Sequence, residues 1–195
     1  MDRKVGINEH SICQLCDDCT LLMKGDIFYE IHITIENTPD SFIWAVNNKI
    51  KLIDIELGTS IPNQLMTSVV VKGSEKYPKI EAARLLVSLK VENIKVSRVK
   101  IEATLNSPEE AKYYELHASA SPNLYIDERA LNLHKSKNLL KKGVALYQMY
   151  TFRSKYKEEF QDKYNELKHY DFHKIILEKC IMDTNEELDS KWLKQ

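Results

Sequence analysis

A hexapeptide recurs in this chain at a fixed spacing: Tyr29, Glu30, Ile31, His32, Ile33 and Thr34 reappear in chemical type as Tyr114, Glu115, Leu116, His117, Ala118 and Ser119, each 85 residues later. Agreement at six consecutive positions, set in a similar succession of predicted elements, is the mark of a duplicated unit. Two copies at so long a period exclude a solenoid. In both copies polar and apolar residues alternate, which predicts a half-buried strand. Strand geometry then sends Glu30, His32 and Thr34 to one face and Tyr29, Ile31, Ile33 and Ile35 to the other; Glu115, His117 and Ser119 separate likewise from Leu116, Ala118 and Ala120. The apolar face is expected to pack on helices, and the polar face to be open or to line a cleft.

The elements around the first copy are legible. The strand spans residues 26–36. A cap formed by Thr38, Pro39 and Asp40 opens a helix through residues 41–51, and strands follow at 51–57 and 64–72, punctuated by Gly58 and Gly73. Pro78 sits in the first turn of a helix over residues 77–93, whose apolar residues Ile80, Ala83, Leu86 and Val87 predict the packing face, and a strand over 96–105 ends the unit. That order is βαββαβ, the ferredoxin-like split. The second half is expected to run strand 113–120, helix 127–142, strand 144–152, helix 154–170 and strand 172–182, with the counterpart of the 51–57 strand missing or very short. The fold class expected is therefore α+β, with two pseudo-symmetric ferredoxin-like lobes, 26–105 and 106–195, forming one compact domain behind an N-terminal segment, 1–25, part of which (8–23) has helical character.

Charge narrows the partners. The chain has 28 Lys plus Arg against 29 Asp plus Glu, a formal net charge of −1, so extended duplex DNA is not an expected ligand and any polyanion contact must be local. A local basic stretch exists: no Asp or Glu occurs from Arg129 to Lys157, which contains Lys135, Lys137, Lys141, Lys142, Arg153 and Lys155 interleaved with Tyr147, Tyr150 and Phe152. It fits a phosphodiester with a stacked base, and more simply a solvated helix face whose lysines balance the acids elsewhere. The first ten residues have no apolar core and no apolar run approaches the roughly 20 residues of a membrane helix. A cytoplasmic protein without a membrane partner is expected. His10, Cys13, Cys16 and Cys19 recur every three residues; four N/S ligands suit structural zinc in number, but their spacing lacks the two pairs joined by a longer loop. No metal and no cofactor are expected, the cysteines serving as small apolar residues in a reducing compartment, with Cys180 in the core.

A dyad between the lobes would bring His32 and His117 into one site, each with a hydroxyl two residues along. These motifs, His-x-Thr (His32, Thr34) and His-x-Ser (His117, Ser119), one per lobe, resemble the paired motifs of the 2H phosphoesterases. The resemblance implies metal-independent cleavage of a cyclic phosphate or a 2′,5′-linked nucleotide or RNA end. It also implies that His32 and His117 are catalytic base and acid, and that Thr34 and Ser119 hold phosphate. Thr67, Ser68, Arg98, Thr151 and Arg153 are further phosphate-binding candidates, because hydroxyl donors and guanidinium forks suit phosphate oxygens. A carboxylate beside each histidine, Glu30 and Glu115, favours the imidazolium; a strict requirement for a divalent ion would make these two residues ligands. The alternative function is a non-catalytic module of the same fold that binds phosphate, a nucleotide or a protein partner. P-loop, dinucleotide, HExxH and GxSxG signatures are absent from the sequence.

Overall fold

The computed structural model describes residues 26–55, 63–121, 123–139 and 148–189. The chain is α+β. Its strands are β1 (Phe28–Glu36), β2 (Lys51–Ile55), β3 (Gln64–Lys72), β4 (Val96–Thr104), β5 (Tyr113–Ala120), β6 (His134–Leu139), β7 (Gln148–Ser154) and β8 (Lys174–Asp183). The helices are α1 (Pro39–Asn47), α2 (Lys76–Val91) and α3 (Lys157–Leu167), with a 3₁₀ turn at Glu186–Asp189. The strands form one antiparallel sheet closed into a barrel in the order β1-β3-β2-β6-β7-β5-β8-β4. Residues of the first half therefore run β4-β1-β3-β2 and those of the second β8-β5-β7-β6. Two pairings join the halves: β2 with β6, through Asp54↔Leu139, and β4 with β8, through Glu102↔Cys180.

Apolar residues face outward, under the helices. Tyr29, Ile31, Ile33 and Ile35 of β1 cluster with Val99, Ile101 and Ala103 of β4 beneath Trp44 and Ala45 of α1 and Ala82, Leu85 and Leu89 of α2. In the second half Leu116, Ala118, Tyr150 and Phe152 meet Phe160 and Leu167 of α3. The opposite side of each strand is turned into the barrel, so the expected polar cleft is the interior of a closed sheet. Closure also leaves no unpaired edge strand among the described residues.

Local chemistry explains where elements start and stop. Thr38 caps α1 by accepting the Ser41 N–H at 3.3 Å, as Thr38-Pro39 foretells, and the helix ends early because Lys49 takes φ 56°. On α2 the buried residues are Pro78, Ala82, Leu85 and Leu89, whereas Ile80 and Val87 are exposed; the expected face of Ile80, Ala83, Leu86 and Val87 is rotated away from the sheet. Both faces of this helix are apolar, so periodicity could not choose between them.

Of the helix expected over residues 127–142, none forms among the described residues 127–139. Asp127 Oδ1 accepts the Ala130 N–H, a single turn follows, and Asn132 at φ 50° stops it. Leu131 and Leu133, two residues apart, are both buried, a strand-like alternation, and β6 begins at the next residue. This strand, paired with β7 through His134↔Thr151 and Lys135↔Tyr150, occupies the place of the counterpart expected to be missing. The helical character of 8–23, the His10, Cys13, Cys16 and Cys19 cluster, and Tyr147, Lys141 and Lys142 lie outside the described residues. No described helix is long and apolar enough to cross a membrane.

Candidate functional site

The inward face of β1 carries Glu30, His32 and Thr34, and that of β5 carries Glu115, His117 and Ser119. Register supplies each with a carboxylate from the adjoining strand: Glu30 lies opposite Glu102 of β4, and Glu115 opposite Glu178 of β8. Each half of the barrel thus contributes a Glu-x-His strand and one more glutamate beside it.

These two sets meet. His32 Nε2 is 2.9 Å from Glu102 Oε2 and 3.7 Å from Glu30 Oε1. His117 Nε2 faces three carboxylates, Glu115 at 3.3 Å, Glu178 at 3.9 Å and the other oxygen of Glu102 at 4.0 Å. One carboxylate, Glu102, therefore reaches both imidazoles. Ligand atoms of Glu102, Glu115 and His117 all lie within 4.8 Å of one another. The far ring nitrogens are fixed as well: His32 Nδ1 is 3.1 Å from the Thr67 carbonyl and His117 Nδ1 is 3.1 Å from Thr151 Oγ1. Such outer partners set the orientation of a ring that binds through its other nitrogen.

Cations complete the cluster. Lys100 Nζ bridges Glu102 and Glu115, at 2.8 Å from each, and the Arg153 guanidinium pairs with Glu115 while lying 4.2 Å over the Tyr113 ring. Arg98 forms a fork on Asp183, whose Oδ2 also accepts the Tyr113 hydroxyl at 2.5 Å. Burial would force these groups to neutralise, and only their partners prevent it. Burial raises Glu102, but Lys100 and the two histidines outweigh it and hold the carboxyl well below its usual range. Glu115 is likewise pushed up by burial and brought down by Lys100 and Arg153 to about 2. Burial would lower His117, yet Glu102 and Glu115 lift it to about 10. Glu178 goes the other way: burial and the negative charges of Glu102 and Glu30 raise its carboxyl well above the ordinary value. Glu102 acts on His117 and Glu178 in the same direction, favouring a proton on each.

The remaining sequence candidates separate by role. Ser68 Oγ donates to Glu30 at 2.5 Å, and Thr34 lies inward and buried, so both belong to the barrel interior. Ser119 Oγ donates to the Lys174 carbonyl at 3.4 Å. Thr67 instead accepts the Ile33 N–H on Oγ1 at 2.9 Å, a bond between strands. Arg98 is committed to Asp183, away from the histidines. The basic stretch divides: Arg153 points inward, Lys135 lies 5.9 Å over the outward Tyr150 ring, and Arg129, Lys155 and Lys157 are exposed. Sequence reasoning missed Glu102, Glu178, Lys100 and Asp183. Lys100 and Glu102 lie with Arg98 in an alternation like that of β1, at every second position between Val99, Ile101 and Ala103, which marks a polar strand face but not what it meets.

No protein-family model and no curated protein matches this chain. Among solved structures it is similar to chlorite dismutase from Candidatus Nitrospira defluvii. A variant in complex with cyanide is 10% identical with a TM-score of 0.33, covering 92% of this chain and 100% of that one. The protein in complex with imidazole is 9% identical with a TM-score of 0.33, over 91% and 100%. Neither a family nor an activity follows for this chain from likenesses of that size.

Proposed function

We propose that the two halves of the barrel descend from one βαββαβ unit and that together they build a divalent-cation centre, at which a small phosphate-bearing ligand such as a nucleotide or RNA end is bound and acted upon. The observation that carries the reading is the convergence of Glu102, Glu115 and Glu178 on His117 Nε2, with Glu102 extending to His32. Carboxylate oxygens and imidazole nitrogen together suit an ion such as Mn²⁺ or Zn²⁺. The charge balance supports it. Glu30, Glu102, Glu115 and Glu178 outnumber Lys100 and Arg153 in the interior, and the protons that His117 and Glu178 hold offset the excess, a role that a divalent cation can take over. His117 and Glu178 are the accessible side of the centre, with side chains 21% and 15% exposed against 1% for Glu102. Lys51 lies opposite Ser68 and Lys174 opposite Ser119, which places a cation at the matching register position of each half.

The two-histidine phosphodiesterase is the second reading, favoured by the single carboxylate that reaches both rings. It needs one imidazole neutral as base and the other charged as acid, and the carboxylates around His117 favour the charged form of that ring.

Calorimetric titration of the chelator-treated protein with Mn²⁺ or Zn²⁺ tests the proposal. The expected result is stoichiometric binding, weakened at least 100-fold in Glu102→Gln and in His117→Ala. Absence of binding overturns it, and hydrolysis of a cyclic or 2′,5′-linked nucleotide that persists in EDTA establishes the two-histidine reading instead.

A further inference from the structure

Helix α2 presents a second apolar face that nothing in the described chain covers. Tyr77, Ile80, Val87 and Val91 are 58%, 65%, 65% and 72% exposed. With Arg84 they are spaced three and four residues apart along the whole helix, and they point away from the buried Pro78, Ala82, Leu85 and Leu89. A stripe of this period is the pattern by which one helix packs on another. A helix that is apolar on both sides is ordinarily buried on both sides.

The charges beside the stripe choose the occupant. Lys76, Ala83 and Lys90 flank it on one side, and Glu81 and Ser88 on the other. In a parallel pair of identical helices these two flanks oppose each other, so Lys76 of each copy meets Glu81 of its mate five residues on, twice by symmetry. Arg84, the one charge within the stripe, is already held by Glu81 through Nε at 2.9 Å and Nη2 at 2.6 Å, which tempers its repulsion of its own copy. Ile43 and Val46 of α1, 58% and 75% exposed, widen the apolar surface next to α2, to which Trp44 ties α1 by a 2.8 Å hydrogen bond to Ser88.

We infer that α2 is the interface of a two-fold dimer of this chain, formed by parallel packing of α2 on α2. Sedimentation velocity of the full chain should give a dimer of twice the 22.7 kDa chain mass. The Ile80→Glu/Val87→Glu variant should weaken self-association at least 100-fold while its circular dichroism and thermal midpoint stay those of the isolated subunit. Glu81→Lys should weaken association, and Lys76→Glu/Glu81→Lys should restore much of it. With Cys13, Cys16 and Cys19 replaced by Ser, Ile80→Cys should form an interchain disulfide on mild oxidation and Lys79→Cys should not. A wild type that stays monomeric at all concentrations, a dimer indifferent to the two glutamates, or equal crosslinking from position 79 each overturns the assignment.

Discussion

His32 of β1 and Glu102 of β4 are joined Nε2 to Oε2 at 2.9 Å, and through its second oxygen the same glutamate faces His117 from the other half of the barrel. The carboxylate is 1% exposed and Lys100 lies 2.8 Å from it. Removing one member of a buried ionic group strands the charge of the others, at a cost of about 3–5 kcal/mol. Glu102→Gln should therefore lower unfolding free energy by about 3 kcal/mol in a urea titration. A loss below about 1 kcal/mol would show that the interior network is not held through this residue.

A cation that binds the folded barrel and not the unfolded chain raises stability by mass action, about 2.7 kcal/mol at a concentration 100 times its dissociation constant. Thermal unfolding in excess Mn²⁺ should show that gain in the wild type and none in Glu102→Gln. Equal shifts in both proteins would place the ion elsewhere.

Asp183 gives the pH dependence. Burial raises its carboxyl, and the hydrogen bonds and charge of Arg98 with the Tyr113 hydroxyl outweigh this and lower it. A group with a depressed folded value binds its proton more readily when unfolded, so its contribution is complete above the ordinary aspartate value of about 3.9 and fades as pH falls through the folded one. Asp183→Asn should cost about 3 kcal/mol at pH 7, because it leaves Arg98 buried without its partner. The gap to wild type should narrow in acid below about pH 4. A gap that widens in acid would refute the assignment.

On α2 the test is packing. Leu85 is fully buried and Leu86 only half-buried. Leu85→Ala should cost about 3 kcal/mol, within the usual range for a leucine truncated in a core, and Leu86→Ala less than half as much. Equal losses would mean that the helix is rotated from the orientation described.

The repeated Glu-x-His strand, the alternation that separates its polar and apolar faces, the Thr38 cap and the α+β succession were all legible in the sequence, because each depends on residues close in the chain. Which of the two apolar faces of α2 would meet the sheet was not, since both satisfy the helical period. Nor was the replacement of a helix by β6, where the Leu131 and Leu133 alternation and the pairing with β7 prevailed over local helix propensity. The candidate centre divides in the same way. Glu30, His32, Glu115 and His117 announce themselves by repetition, whereas Glu102 and Glu178 enter only through the registers β1–β4 and β5–β8. Closing the sheet decided the rest: it turned two polar strand faces inward upon each other, where low dielectric makes every unpaired charge costly and binds two histidines to carboxylates from distant strands.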